Sequence, residues 1–301
     1  MTRWYQHRFH TVSMLRLMFW SMARVPIFTQ PMIAVGTAMF FGFMLKRERK
    51  AVTRNLRQIT GSSGIALLWK VYRVFYCFSD FMVSYCYVPQ ASHEQLLSML
   101  VSDPDGTAVI DQHLAAGKGI IFWTAHLGNP EFASRLLEMH GRPVNIARVV
   151  EDSPAEKMLR ERMANDRIRV VDLRGGPLAT IELLQALRRN EIVAIQGDRV
   201  YHPRHSVEVP FFSKPTAFPL GPFLLSQVSG APVLPAFVIR ESWLRYRILS
   251  GDPILPGSSG DTDAGQRAAL AQAVRFLEAQ VSVHYDQWMN FFDFWPVKAH
   301  D

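Results

Sequence analysis

Gly119-Ile-Ile-Phe-Trp-Thr-Ala-His-Leu-Gly-Asn-Pro-Glu131 is the stretch from which the fold is read. Gly119 to Ala125 is an apolar, partly β-branched run bounded by glycine, the pattern of a strand buried on both faces. Asn129 suits a helix N-cap, Pro130 the first helical position, and Glu131 the first turn, where the helix dipole favours negative charge. The segment therefore reads strand, turn, helix, with His126 at the C-terminal edge of a sheet. Open α/β folds bind their ligands at that edge. An imidazole near a carboxylate makes a general base with an orienting partner. The His-x4-Glu spacing is weak alone. Ten histidines and 26 acidic residues in a chain of 301 make about one such match expected by chance. The strand-to-helix junction lends the match its weight against the plainer reading of a surface histidine after a strand.

Outward from this stretch, from about Gly106, strands and helices alternate. Strands are expected at Ala108–Ile110, Gly119–Ala125, Val144–Val150, Ile168–Leu173, Ile192–Gln196, Val207–Phe212, Val233–Arg240 and Leu244–Leu249. Helices are expected at Asp111–Ala116, Pro130–Met139, Pro154–Asn165, Leu178–Arg189 and Phe218–Ser229, with a long amphipathic helix at Ala264–Tyr285. The alternation implies an α/β fold, a mostly parallel central sheet flanked by helices. Before it, Arg54 to Asp80 and Phe81 to Tyr87 read as helical and aromatic-rich, and His93 to Val101 as a short helix. The division expected is an N-terminal helical region, residues 1–90, and an α/β domain, residues 91–301.

The net charge of +7 belongs to one end. Residues 1–79 hold 12 Lys and Arg and one acid, Glu48, whereas the remainder carries 21 basic and 25 acidic groups. An uncharged, mostly apolar run, Val25 to Leu45, lies in the same quarter, between Arg24 and Lys46-Arg47-Glu48-Arg49-Lys50. Its 21 residues approach the ~20 that cross a bilayer core, but Pro26, Thr29, Gln30 and Pro31 interrupt the first third. A tilted span, an amphipathic hairpin in the membrane interface and a buried hairpin all remain open. No small-x-small site follows, so the run does not read as a cleavable signal peptide. Basic residues beside apolar ones favour an anionic cytoplasmic leaflet. Charge confined to an apolar segment argues against nucleic acid, which calls for a polar basic face.

Other chemistry is limited. Cys77 and Cys86 match no metal or redox spacing and read as structural thiols in a reducing compartment. There is no nucleophile elbow, Walker loop, dinucleotide fingerprint or metal-ligand cluster, so neither metal nor cofactor is expected. Asp198 and Arg199 end the strand from Ile192, and a charged pair at that edge would wall the same cleft as His126. Arg148 and Arg162 join as arginines suited to phosphate groups.

His126-x4-Glu131, Gly197-Asp198-Arg199, Pro210-Phe211-Phe212-x-x-Pro215 and Gly230-Ala-Pro-Val-Leu-Pro235, with Arg54-Asn55-Leu56 upstream, occur in the order seen in bacterial lysophospholipid acyltransferase-like proteins. The chain resembles most the late, lauroyl/myristoyl acyltransferases of lipid A biosynthesis. The resemblance implies transfer of a fatty acyl chain from acyl-carrier protein or acyl-CoA to a hydroxyl of a membrane lipid, a lipid A precursor among the candidates. It implies a protein on the cytoplasmic face of a bacterial inner membrane, docked by its N-terminal helices. His126 would match the catalytic base and Glu131 its orienting partner, with Arg148, Arg162, Asp198 and Arg199 facing substrate. The alternative is a lipid-binding membrane adaptor on the same fold without activity. Two departures bear on the acceptor: Ser213 stands where glycine is usual, and Asp198-Arg199 where Asp-Gln is common.

Overall fold

The computed structural model describes residues 11–22, 24–26, 29–101, 105–150, 153–163, 165–201, 205–255 and 262–295. In chain order the first helices are α1 (Val12–Met22), α2 (Gln30–Met44), α3 (Lys46–Thr60), α4 (Gly64–Ser84), α5 (His93–Ser98) and α6 (Asp105–Ala115). Then come β1 (Ile120–Thr124), α7 (Pro130–Leu137), β2 (Val144–Arg148), α8 (Pro154–Met163), β3 (Ile168–Asp172), α9 (Pro177–Arg188) and β4 (Ile192–Gln196). The chain continues through β5 (Ser206–Phe211), β6 (Lys214–Pro219), α10 (Gly221–Ser229), β7 (Val233–Ser242), β8 (Arg245–Ser250) and α11 (Thr262–Val283). It divides into two compact units: Met1–Gln90 with Asp152–Met163 and Val281–Asp301, and Ala91–Glu151 with Ala164–Gln280.

The first unit is helical. The helix expected from Arg54 is interrupted at Gly61, whose φ of 62° lets its N–H cap α3 on the carbonyl of Arg57. The next helix then runs unbroken from Gly64 to Ser84. Its core joins Ala38, Val52, Leu56, Leu67, Val71, Val74 and Phe75 to Phe291. Helix α2 packs on α4 through a line of small residues: Ala34 and Ala38 are buried, and Gly42 lies against the Phe75 ring. Its large side chains, Met32, Met39, Phe40 and Phe43, point to solvent, as do Ile65, Leu68 and Trp69 on α4. Among the described residues no helix is long and apolar enough to cross a membrane. The 15 residues of α2 extend about 22 Å, short of a hydrocarbon core of about 30 Å.

Asn55 explains why the Arg54-Asn55-Leu56 motif matters. Its buried amide donates to the carbonyls of Asn290 (3.1 Å) and Phe292 (2.8 Å) and accepts from the N–H of Phe294 (3.0 Å). Arg54 forms a two-pronged bond to Asp293. These contacts give main-chain groups of residues 290–294 partners that no helix or sheet supplies.

The second unit holds a six-stranded sheet in the order β3-β2-β4-β1-β7-β8, parallel except for β8, which runs antiparallel to β7. The fold is the α/β arrangement expected, with the sheet flanked by helices. Ile110 and Leu114 of α6 and Leu137 of α7 pack on one face, against Ile120, Phe122, Val144, Ile192 and Leu234. On the other, Trp123 meets Phe223 of α10 and the Phe237 ring, which stacks on Phe276 of α11.

Two local expectations are corrected. Ala108–Ile110 lies in α6, not in a strand: Ile110 and Leu114, one helical turn apart, are both buried. Phe218 belongs to β6, not to a helix; β5 and β6 form a separate antiparallel pair in which Phe218 packs edge-on against Phe211. The turn between them, Phe212-Ser213, has φ of 49° and 62°, the left-handed pair that a two-residue hairpin turn demands.

Candidate active site

Strands β1 and β4 are parallel neighbours with Thr124 paired to Gln196. His126 and Asp198 each stand two residues beyond that last pair, so register alone carries both to the same sheet edge. The exit of β4 is tight. A Cβ on Gly197 would fall 1.9 Å from the indole nitrogen of Trp123, so only glycine lets the strand pass that buried ring. The Gly197 N–H is held by the Thr124 carbonyl at 2.8 Å.

Beyond this floor the two side chains meet. His126 Nδ1 lies 2.7 Å from Asp198 Oδ1, and the His126 main-chain N–H donates to the same oxygen at 3.1 Å. Asp198 is 0% exposed and His126 17%. An ionised carboxylate only accepts, so its bond with the ring places the proton on Nδ1 and leaves the lone pair on Nε2. The imidazole pKa is lowered from its ordinary value, chiefly by burial and then by the positive charge of Arg199. The charge and hydrogen bond of Asp198 oppose that shift, and Arg148 adds to it. Arg199 is itself buried, directly after Asp198. Arg148 ends β2, opposite Asp172 of β3. Three of the residues expected at the site, Asp198, Arg199 and Arg148, thus act on a fourth, His126.

The helix that follows His126 begins as expected. Asn129 Oδ1 accepts the Phe132 N–H at 3.0 Å, Pro130 opens α7, and Glu131 lies in its first turn. The carboxylate on Nδ1, however, is that of Asp198. The pairing was not legible in the sequence, because 72 residues separate the two and strand order is not written there. Only once β1 and β4 are known to be neighbours do their equal overhangs point to it.

Arg162 belongs to the first unit. Its Nε donates to the Tyr85 carbonyl at 2.8 Å, and its guanidinium lies 4.2 Å over the ring of Phe19. Burial pushes the Cys86 thiol up to about 11, an unreactive state. Among the described residues no group of three or more His, Cys, Asp or Glu is arranged to hold a metal.

Residues 4–296 match the model of a bacterial lipid A biosynthesis acyltransferase. Two curated relatives are similar, the phosphatidylinositol mannoside acyltransferases of Mycobacterium tuberculosis strains CDC 1551 / Oshkosh and ATCC 25618 / H37Rv. Each is 29% identical over 204 residues, which is 67% of this chain and 62% of the relative's length.

Proposed function

The chain belongs to the bacterial lipid A biosynthesis acyltransferases, and on that premise we propose that it moves a fatty acyl chain from a thioester donor to a hydroxyl of a membrane lipid. The observation that carries the reading is the His126–Asp198 pair, in which the contact to Nδ1 makes Nε2 the basic nitrogen. The acceptor hydroxyl gives its proton to Nε2 as its oxygen attacks the thioester carbonyl carbon. The tetrahedral intermediate then collapses with cleavage of the carbon–sulfur bond, and the imidazolium returns the proton to the departing thiolate. Ester and free thiol leave, and no cofactor enters. Asp198 fixes the tautomer and stabilises the transient imidazolium. A depressed imidazole pKa keeps the base neutral at physiological pH.

Arg148 and Arg199 place positive charge beside the base, which suits a phosphate-bearing substrate and the oxyanion that forms at the carbonyl. The first-turn carboxylate of Glu131 completes the residues of this unit assigned to catalysis; Arg162, in the first unit, is assigned to substrate from the family resemblance alone. The donor is acyl-carrier protein or acyl-CoA. The acceptor is a glycolipid, a lipid A precursor being the candidate from the family and a mannosylated phosphoinositide the candidate from the relatives.

On this reading the first unit docks on the cytoplasmic face of the inner membrane. Helix α2 buries small residues and exposes Met32, Met39, Phe40 and Phe43, and the basic run Lys46 to Lys50 follows at once. Such a helix is suited to an anionic interface.

The test is acyl transfer by the purified protein from labelled thioester to extracted lipid. His126→Ala is expected to lose about 100- to 10,000-fold in rate while remaining folded. Wild-type turnover by that variant would refute the assignment. Lipid mass spectrometry of a deletion strain names the acceptor.

A further inference from the structure

The segment that carries His126 is tied on two sides. On one, its main-chain N–H and Nδ1 both reach Asp198 beyond β4. On the other, residues 128 and 129 are drawn against β7: Gly128 bridges to Val238, and the Asn129 N–H donates to the Val238 carbonyl at 2.7 Å. Gly128 has a φ of 73°, and a Cβ there would sit 2.0 Å from the Val238 carbonyl oxygen and 2.8 Å from its carbon. Both obstructing atoms are main chain in the middle of a paired strand, so neither can swing aside. Tyr246 of β8 steadies the same corner, with its hydroxyl 3.5 Å from the Asn129 amide and its ring stacked on Phe132.

We propose that Gly128 is a positioning residue for His126: its missing Cβ lets β7 hold the loop at the height where the imidazole meets Asp198. An added methyl would lift the loop off Val238 while the strand ends stay in place. The Nδ1–Asp198 contact would lengthen, and Nδ1 and Nε2 would share the proton. A misplacement of about 1 Å in a reacting group can cost about a hundredfold in rate.

The proposal rests on His126 being the base, so His126→Ala is measured first; if that variant keeps activity, the functional reading fails and this inference with it. Given an inactive His126→Ala, Gly128→Ala is compared with Gly141→Ala. Gly141 has a nearly equal φ of 70° but nothing within 4 Å of its Cβ, so it carries the backbone strain without the obstruction. Gly128→Ala is expected to lose about a hundredfold in kcat, with little change in KM. The 15N signals of His126 should move from a single Nδ1–H tautomer to a mixture. Gly141→Ala should match wild type in both. Wild-type kcat and 15N signals in Gly128→Ala, or an equal loss in Gly141→Ala, would overturn the inference. If Gly128→Ala does not fold, Asn129→Ala loosens the same corner; it should show a smaller kcat loss with partial tautomer mixing, and an unchanged His126 signal there would equally overturn it.

Discussion

Helix α2 and strand β1 are both apolar runs without a formal charge, yet they use that character in opposite directions. Every residue of β1 except Thr124 is buried, covered by helices on one face and by Trp123's aromatic neighbours on the other. Helix α2 buries only Gln30, Ala34 and Ala38, and its outer face carries Met39 at 62% and Phe43 at 65% exposure. In water an exposed row of large apolar side chains forgoes the hydrophobic gain that drives folding. The comparison shows that apolar composition reports a need for an apolar neighbour without saying which one. For β1 the neighbour is the rest of the unit. For α2 it is, on the reading proposed above, the membrane.

The comparison can be tested at the buried end first. Asp198→Asn keeps the shape of the pair but lets the side chain donate to Nδ1, which favours the wrong tautomer. We expect about 100- to 10,000-fold loss of kcat in steady-state kinetics. Combined with His126→Ala it should add almost nothing, because the two act as a unit. Independent, multiplying losses would show that Asp198 serves something other than His126.

At the exposed end, the double substitution Met39→Glu/Phe43→Glu should leave unfolding unchanged, because neither side chain is in the core. Flotation with anionic vesicles should fall by tenfold or more, since each buried large apolar side chain is worth about 1.5–3 kcal/mol. Vesicle binding equal to wild type would remove α2 from the docking surface. A large loss of stability would instead mean that its outer face is covered by protein.

The smallest effect expected is on the pH profile. The neutral imidazole is the active form, and Arg199 helps to hold its pKa below the ordinary value. Arg199→Gln should therefore raise the apparent pKa of kcat/KM, moving the acid limb to higher pH. Activity near pH 6 should drop relative to that near pH 8. A limb that stays in place, or moves to lower pH, would mean that Arg199 does not act on His126.

Much of the α/β unit was legible because its signals are local. The apolar β-branched runs and the Asn129-Pro130-Glu131 helix start each rest on residues a few positions apart. The failures were also local in cause. Phe218 alternates with Thr216 as a strand residue should, but stands close enough to Gly221-Pro222 to be read into the following helix. The Gly61 break is masked in the sequence by apolar residues that recur at helical spacing beyond it.

From sequence alone came the kind of sheet, the place of His126 at its C-terminal edge, and the charge asymmetry. Spacing and side-chain chemistry decide these before the chain folds. Tertiary structure decided that β4 lies beside β1, so that Asp198 reaches Nδ1, and that residues 152–163 and 281–301 join the N-terminal helices in one unit. It also decided that α2 turns its small residues inward. Such pairings depend on which surfaces fit when distant segments meet. That fit is a property of three-dimensional packing, and no window along the chain contains it.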